Sequence, residues 1–338
     1  MRLFNFFGKR ITHAVFVLLG LSILIFVIAR VMPGNPARMA LGPRAPQWAI
    51  EKLQKEMHLD RPIYIQYLYW IKGAVKGDLG QSLVTRRGVA QDIVEYFPAT
   101  IELAIYAALF MGLVGVFLGA VSGWFANTWI DNVVRVVAYV GVVTPSFVFA
   151  IFFVLIFSYW LDVFPTIGRM TSGLTPPPTI TGLLTIDALI TGHFHVFFDG
   201  LKHILLPALS LAMGPLSQEA RITRSSMADN AQKDFIAAER ACGMPEKLIM
   251  FKYLLKPSLI PTISIYGLDF ASLLGNAFLI ELIFNWPGLS RYCMNAILQK
   301  DLNAMTATIM VLGVVFVVVN ILVDLIVDYL DPRIRFRK

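Results

Sequence analysis

The chain has 338 residues, 57% hydrophobic and only 15% charged, with a net charge of +7. A soluble domain carries roughly 25% charged residues, so an ordinary soluble globular protein is excluded. The apolar runs are far longer than barrel strands, which leaves α-helices to satisfy the backbone in lipid. The expected class is an all-α polytopic membrane protein. The basic excess sits in short segments at the ends of apolar runs, which suits lipid head groups and not nucleic acid. Cys242 and Cys293 are the only cysteines; they fall in different loops and imply neither a disulfide framework nor a zinc site.

In chain order, Arg2, Lys9 and Arg10 precede an apolar run from about Ile11 to Met32. At about 1.5 Å per residue it crosses a core of about 30 Å. It is longer than a signal-peptide core and lacks a small-residue cleavage site, so it is expected to stay as an anchor. Pro33-Gly34-Asn35-Pro36 stops it. Residues 33–98 are a long polar excursion. Ala45 to Leu59 has helical periodicity, with Ile50, Leu53 and Met57 on one face. Pro62 to Lys76 carries Tyr64, Tyr67, Tyr69 and Trp70 and suits a membrane interface. Gly77-Asp78-Leu79-Gly80 reads as a turn.

The second span is expected over about Thr100 to Phe125 and contains Glu102. Asn127 to Arg135 reads as a short turn, and the third span as about Val136 to Leu161, kinked at Pro145. Asp162 to Leu201 is a second polar segment, held extended at Pro176-Pro177-Pro178. The fourth span begins near His203, is kinked at Pro215 and turns polar at Gln218. The fifth covers about Thr262 to Phe284, the turn Trp286-Pro287-Gly288 follows, and the sixth covers about Met305 to Leu330. The tail is basic.

Six spans put both termini on one side. Segments on that side hold fifteen basic residues, whereas the two shorter opposite segments hold only Arg169, Lys202, Arg291 and Lys300. This positive-inside bias makes both termini cytoplasmic. The first outer segment holds nine basic residues, but it exceeds about 60 residues, where the rule loses force. The expected divisions are residues 1–32, an extracytoplasmic subdomain over 33–98, a five-helix core over 99–330 and a tail over 331–338. The subdomain either touches a substrate-binding partner or packs as a lid on the bundle.

A polar insert runs from Asp234 to Pro261 within a cytoplasmic loop over 228–261. Gly243 and then Pro245 read as a helix stop followed at once by a helix start, giving two short helices and a sharp turn. Ala237, Ala238 and Ala241 keep one face nearly flat, which suits insertion into a groove on a partner protein. A linker that only caps the bundle is the alternative.

These residues resemble the EAA loop of ABC-importer membrane subunits, with Ala237, Ala238 and Glu239 followed by Arg240, Ala241, Cys242 and Gly243. The leading glutamate is replaced by Ala237; the spacing of alanines and glycine is intact. Asp234, Phe235, Ile236, Arg240, Ala241 and Gly243 also fit a pattern similar to the B-type permease subunit of dipeptide and oligopeptide importers. So do the tract from His58 to Ser82, RITRSSM over 221–227, NWPGLSRYC over 285–293, and the ends of the resemblance at PGNPA and LDPRIR.

The resemblance implies the type I ABC importer permease fold with six transmembrane helices. It also implies a related second permease subunit, two ATP-binding subunits and an extracytoplasmic binding protein, in a bacterial or archaeal inner membrane. Motor docking would fall to Asp234, Ala237, Ala238, Glu239, Arg240, Ala241 and Gly243. Peptide is the first expected substrate, oligosaccharide or a nickel chelate the second.

No G-x-x-x-x-G-K-[ST] occurs, so ATP and Mg are expected on partner subunits, with no cofactor in this chain. No nucleophile–base–acid constellation is present, and no catalysis is expected. Glu102, Asp269, Glu281, Asp324 and Asp328 fall in or near apolar runs. A charge at mid-membrane costs at least about 2.5 kcal/mol, so each should face the bundle interior, a cavity or the interface. Glu102 and Glu281 are the pathway candidates; interhelical hydrogen bonding is the alternative. Arg221 and Arg224, one turn apart, suit either a cytoplasmic gate or lipid anchoring. His193 and His195 lack a third metal ligand. An ion-coupled carrier working alone is the rival from another class; a non-transporting anchor is the third.

Overall fold

The fold is given by a computed structural model that describes residues 2–31, 36–42, 44–56 and 58–330. The Pro33–Asn35 stop, Met57 and the basic tail lie outside the described residues, as do the side chains of Asp324 and Asp328. Among the described residues there is no strand; a lone bridge pairs Gln81 with Gly88.

The helices are α1 (Arg2–Val31), α2 (Pro36–Leu41), α3 (Gln47–Glu56), α4 (Ile63–Val75), α5 (Val89–Phe110), α6 (Val116–Trp124), α7 (Trp129–Val143), α8 (Ser146–Phe153) and α9 (Leu184–Ile190). There follow α10 (Phe194–Ala231), α11 (Asp234–Ala241), α12 (Glu246–Leu248), α13 (Lys256–Ile283), α14 (Leu289–Leu298) and α15 (Leu302–Leu330). Three π-helical stretches, Met111–Gly115, Val154–Trp160 and Ile249–Leu255, join α5 to α6, extend α8 and join α12 to α13. Among the described residues, five rods are long and apolar enough to cross a membrane: Arg10–Val31, Val89–Trp124, Phe194–Ala231, Glu246–Ile283 and Leu302–Val323. A sixth span forms if the bent pair Trp129–Val143 and Ser146–Trp160 is one crossing.

Several expectations change. The third span is no kinked rod: the chain bends by 108° between α7 and the α8 rod. Thr144 is extended (φ −84°, ψ 124°), the conformation forced on a residue preceding proline, and Pro145 then starts a new helix. The turn expected over 127–135 shrinks to Asn127 and Thr128, where Asn127 takes φ +64°. The second span starts at Val89, with Pro98 inside the helix. The fourth starts at Phe194 and runs unbroken past Pro207 and Pro215 to Ala231. The segment after Leu161 is partly helical, in α9, and the turn after Trp286 leads into α14.

The chain divides into two compact units. Unit 1 comprises residues 1–100 and 287–318. Its core gathers Ala29, Val89, Ile93, Leu289, Tyr292, Ala296, Leu302 and Met305. Asp301 caps α15 through Ala304 N (3.2 Å) while its other oxygen accepts Ser82 Oγ at 2.6 Å and Leu83 N at 2.7 Å. Asp92 is fully buried, accepting from Thr85 Oγ1 (2.5 Å) and Tyr292 (3.0 Å) and pairing with Arg87 at 2.7 Å. Burial and the Asp92 partner both push the Tyr292 hydroxyl up. These bonds pin the loop over residues 80–88 to the starts of α14 and α15.

Unit 2 comprises residues 101–286 and 319–338. Its axis is α10, nearly half of whose residues are buried. Gly115, Gly119 and Gly123 form a stripe spaced by four residues, facing α10. A Cβ at Gly119 would lie 2.6 Å from both Ala220 O and Thr223 Cβ, and one at Gly115 would lie 2.8 Å from Leu216 O. A Cβ at Gly141 of α7 would overlap Ser217 Oγ. Small residues let backbones approach closely in lipid, where no hydrophobic drive brings helices together.

Candidate functional site: the loop between α10 and α13

The loop is built outward from a buried root. Asn230 at the end of α10 donates to Ser258 Oγ at 2.8 Å, and Ser258 donates to Leu254 O at 2.7 Å. Lys233 then turns extended (φ −82°, ψ 146°) and starts α11. Ile236, 1% exposed, is the inward anchor of α11, packed in a cluster with Ala120, Met227, Ile249 and Leu254. A single large apolar side chain thus seats an otherwise polar helix.

The other face of α11 is open. Asp234, Ala237, Ala238, Arg240, Ala241 and Gly243 are exposed, and Glu239 is half-buried. Phe235, Leu248 and Phe251 add exposed apolar surface at 41%, 39% and 61%. The helix ends as expected: Gly243 takes φ +73°, the left-handed conformation of a C′ glycine. Cys242 N donates to Ala238 O (2.9 Å), Gly243 N to Arg240 O (3.0 Å) and Met244 N to Glu239 O (3.2 Å). Space does not call for glycine there, since a Cβ would meet nothing within 4 Å; the backbone angle favours it. Arg240 pairs with Glu246 across the turn at 3.1 Å, both side chains half exposed, so the pair contributes about 0–1 kcal/mol.

The second short helix of the sequence reading is corrected. Pro245 starts α12 at Glu246, but α12 runs through the π-helical stretch into α13. The insert is therefore one short helix and a glycine turn set on the ends of two long rods.

At the same end of α10, Arg224 grips Asp131 of α7 with two bonds, Nε to Oδ1 at 3.0 Å and a terminal nitrogen to Oδ2 at 2.8 Å. Asp131 is fully buried and also accepts Ser122 Oγ at 2.6 Å and Asn127 N at 2.9 Å. Arg221, its expected companion, is exposed on the helix surface. Of the two arginines, it is Arg224 that bonds Asp131.

Residues 115–336 match the family described as the binding-protein-dependent transport system inner membrane component, and residues 3–104 match the description of such a component's N-terminal part. The chain belongs to this family. It is 36% identical over 334 residues to the probable D,D-dipeptide transport system permease protein DdpB of Escherichia coli K12, covering 99% of this chain and 98% of the relative. It is 38% identical over 328 residues to the dipeptide transport system permease protein DppB of Alkalihalophilus pseudofirmus, covering 97% and 98%. The glutathione transport system permease protein GsiC of Shigella flexneri is 30% identical over 333 residues, covering 98% and 99%.

In this permease, Glu102 is 1% exposed, and neither oxygen is idle. One accepts Arg169 Nε at 2.9 Å; the other accepts Thr185 N at 2.7 Å and Thr185 Oγ1 at 2.6 Å. Arg169 also donates to Gly182 O at 2.8 Å. The carboxylate thus ties the segment after α8 to α5. Glu281 is fully buried, and its backbone carbonyl accepts Trp286 N at 2.8 Å. Asp187 of α9 is caged by Ile180 N, Gly182 N, and Thr181 N and Oγ1 at 2.7–3.1 Å. Burial alone would raise its carboxyl, but the hydrogen bonds from Thr181, Ile180 and Gly182 outweigh this and hold it below the usual carboxylate value.

Sequence reasoning did not pick out Asp131 or Glu219. Asp131 looked like part of a turn. Glu219 is fully buried on α10, and neither oxygen finds a hydrogen-bond partner among the described residues; its neighbours Gln218 and Arg221 made that stretch read as the polar end of a span. His193 bonds Thr191 Oγ1 at 2.8 Å, and among the described residues no three His, Cys, Asp or Glu group as a metal site.

Proposed function

We propose that this chain forms half of the translocation pathway of an ATP-driven importer of peptides, paired with a related permease subunit and served by an extracytoplasmic binding protein. Two separate ATP-binding subunits dock on α11 and the Gly243 turn, in the cytosol, with both termini of the chain on that side. Motor closure moves the docked helices and rocks the spans between inward- and outward-open forms. Arg224, bound to Asp131, stands at the cytoplasmic end as a gate element, with Arg221 beside it on the helix surface. Glu102 and Glu281 are the pathway candidates; Glu102 is held by Arg169 and Thr185, and Glu281 is fully buried. The observation that carries the reading is the exposed alanine face of α11, seated by Ile236. The peptide assignment is supported by the dipeptides and glutathione named for the relatives.

The test is reconstitution of the chain with its partner subunits and binding protein in liposomes. ATP should drive uptake of a dipeptide, and Ala238→Trp should abolish both uptake and co-purification of the ATP-binding subunits. Gly243→Pro should do the same, since proline cannot adopt φ +73° and loses the N–H bonded to Arg240 O. Uptake driven by an ion gradient with this chain alone, or undiminished motor binding by Ala238→Trp, would overturn the reading.

A further inference from the structure

Unit 1 contains an open cavity of about 650 Å³, within the size range of small-molecule sites. Arg30, Gln66, Tyr69, Trp70, His58 and Arg86 contribute to its lining. Three donor nitrogens belonging to these lining residues are closed to solvent and without a hydrogen-bond partner among the described residues: Arg30 Nε, one terminal nitrogen of Arg30, and Trp70 Nε1. The Arg30 guanidinium stacks over Phe26 at 4.9 Å, and Phe26 in turn packs against Tyr67 and Trp70 with ring centroids 5.4 and 5.7 Å away. Glu56 and Asp78 also line the cavity, yet among the described residues no ion pair joins Arg30 to either. A guanidinium with buried, unmatched N–H groups is costly unless an anion meets it.

Position says which anion. Arg30 is the penultimate residue of the first apolar rod, Arg10–Val31, and therefore lies at a membrane boundary. The residues just before it, Ile23, Leu24, Val27 and Ile28, expose 38–56% of their surface. Tyr64, Leu68 and Tyr69 of α4 are also exposed, at 55–67%, and aromatic rings belong at head-group level.

We propose that this cavity binds the phosphate of a membrane phospholipid, the Arg30 and Trp70 side chains turning into it to become the donors and the acyl chains lying along the apolar flank of α1. Gln66 Oε1, buried and unpartnered, accepts from a hydroxyl of the head group. Arginine suits this task because its planar fork presents two parallel N–H groups to phosphate oxygens.

The experiment is native mass spectrometry of the full chain, purified in detergent and offered phosphatidylglycerol, diacylglycerol of the same chains, or inorganic phosphate. Phosphatidylglycerol should remain bound and diacylglycerol should not. Arg30→Gln should weaken retention on the order of tenfold, as expected for loss of charge-assisted bonds, while Lys72→Gln, outside the cavity lining, should leave it unchanged. Where Arg30→Gln fails to fold, a photoreactive residue replacing Tyr69 in the otherwise native chain should crosslink phosphatidylglycerol. Equal retention by Arg30→Gln, equal loss in Lys72→Gln, equal binding of diacylglycerol, displacement of the lipid by millimolar inorganic phosphate, or no lipid crosslink would each overturn the proposal.

Discussion

Asp131 and Asp187 do opposite kinds of work with the same functional group. Asp131 is a fully buried carboxylate matched by a guanidinium, a hydroxyl and a backbone N–H. Removing one partner of such a pair leaves a buried charge uncompensated, which costs about 3–5 kcal/mol. Arg224→Met should therefore lower the melting temperature of the purified permease sharply, and Arg224→Met with Asp131→Leu should recover much of it. Additive losses in that double-mutant cycle would show that the two side chains act independently. Asp187 needs no cation; four hydrogen bonds hold its charge. Its folded value lies below the unfolded value of about 3.9, so its stabilisation is fully present above that pH and is lost as pH falls through the folded value. Asp187→Asn should be less stable at neutral pH, and the gap to the native chain should close under strong acid. A gap independent of pH would remove the carboxylate from the explanation.

Among elements, the α6–α10 contact shows how a lipid-soluble helix is aimed. Its Gly119 and Gly123, in line with Gly115 of the π-helical stretch before it, leave no room for a side chain against α10. Gly119→Leu should separate the helices and lower the yield of folded protein, with a loss of about 1–3 kcal/mol or more from overpacking. Gly275, where a Cβ would meet nothing within 4 Å, is the control, and Gly275→Ala should be nearly silent in the same thermal melt. Equal effects at the two positions would mean that helix propensity and not close approach sets the cost. The π-helical stretches belong at this scale too. They fall at Met111, Val154 and Ile249, inside runs that periodicity reads as plain helix, because a one-residue bulge leaves the hydrophobic pattern almost unaltered.

For the whole molecule, the apolar runs made the spans legible, since a run of about 20 apolar residues admits few other fates. The Gly243 turn was legible because glycine is the residue that adopts its left-handed backbone angle without strain. What escaped the sequence depended on partners distant along the chain. Asp131 finds Arg224 93 residues away, Glu102 finds Arg169 67 residues away, and Asp301 finds Ser82 219 residues away; no local pattern announces such pairs. Pro145 was legible as a disturbance, but whether it bends or breaks a rod depends on the extended Thr144 before it. The two thiols offer a test of orientation: Cys242 is exposed and Cys293 is buried. A membrane-impermeant maleimide should label Cys242 in inside-out vesicles and not in intact cells. The reverse pattern would place α11 on the external side and end the docking proposal.

The buried bond between Asn230 and Ser258 bears on that proposal in a further way. It fastens the two long rods together at the base of the exposed foot, with Ile236 wedged beside it. A load applied to α11 under the docking proposal would have to break this bond, worth about 1 kcal/mol, before it could splay the rods apart at their ends, so part of it would pass into both shafts.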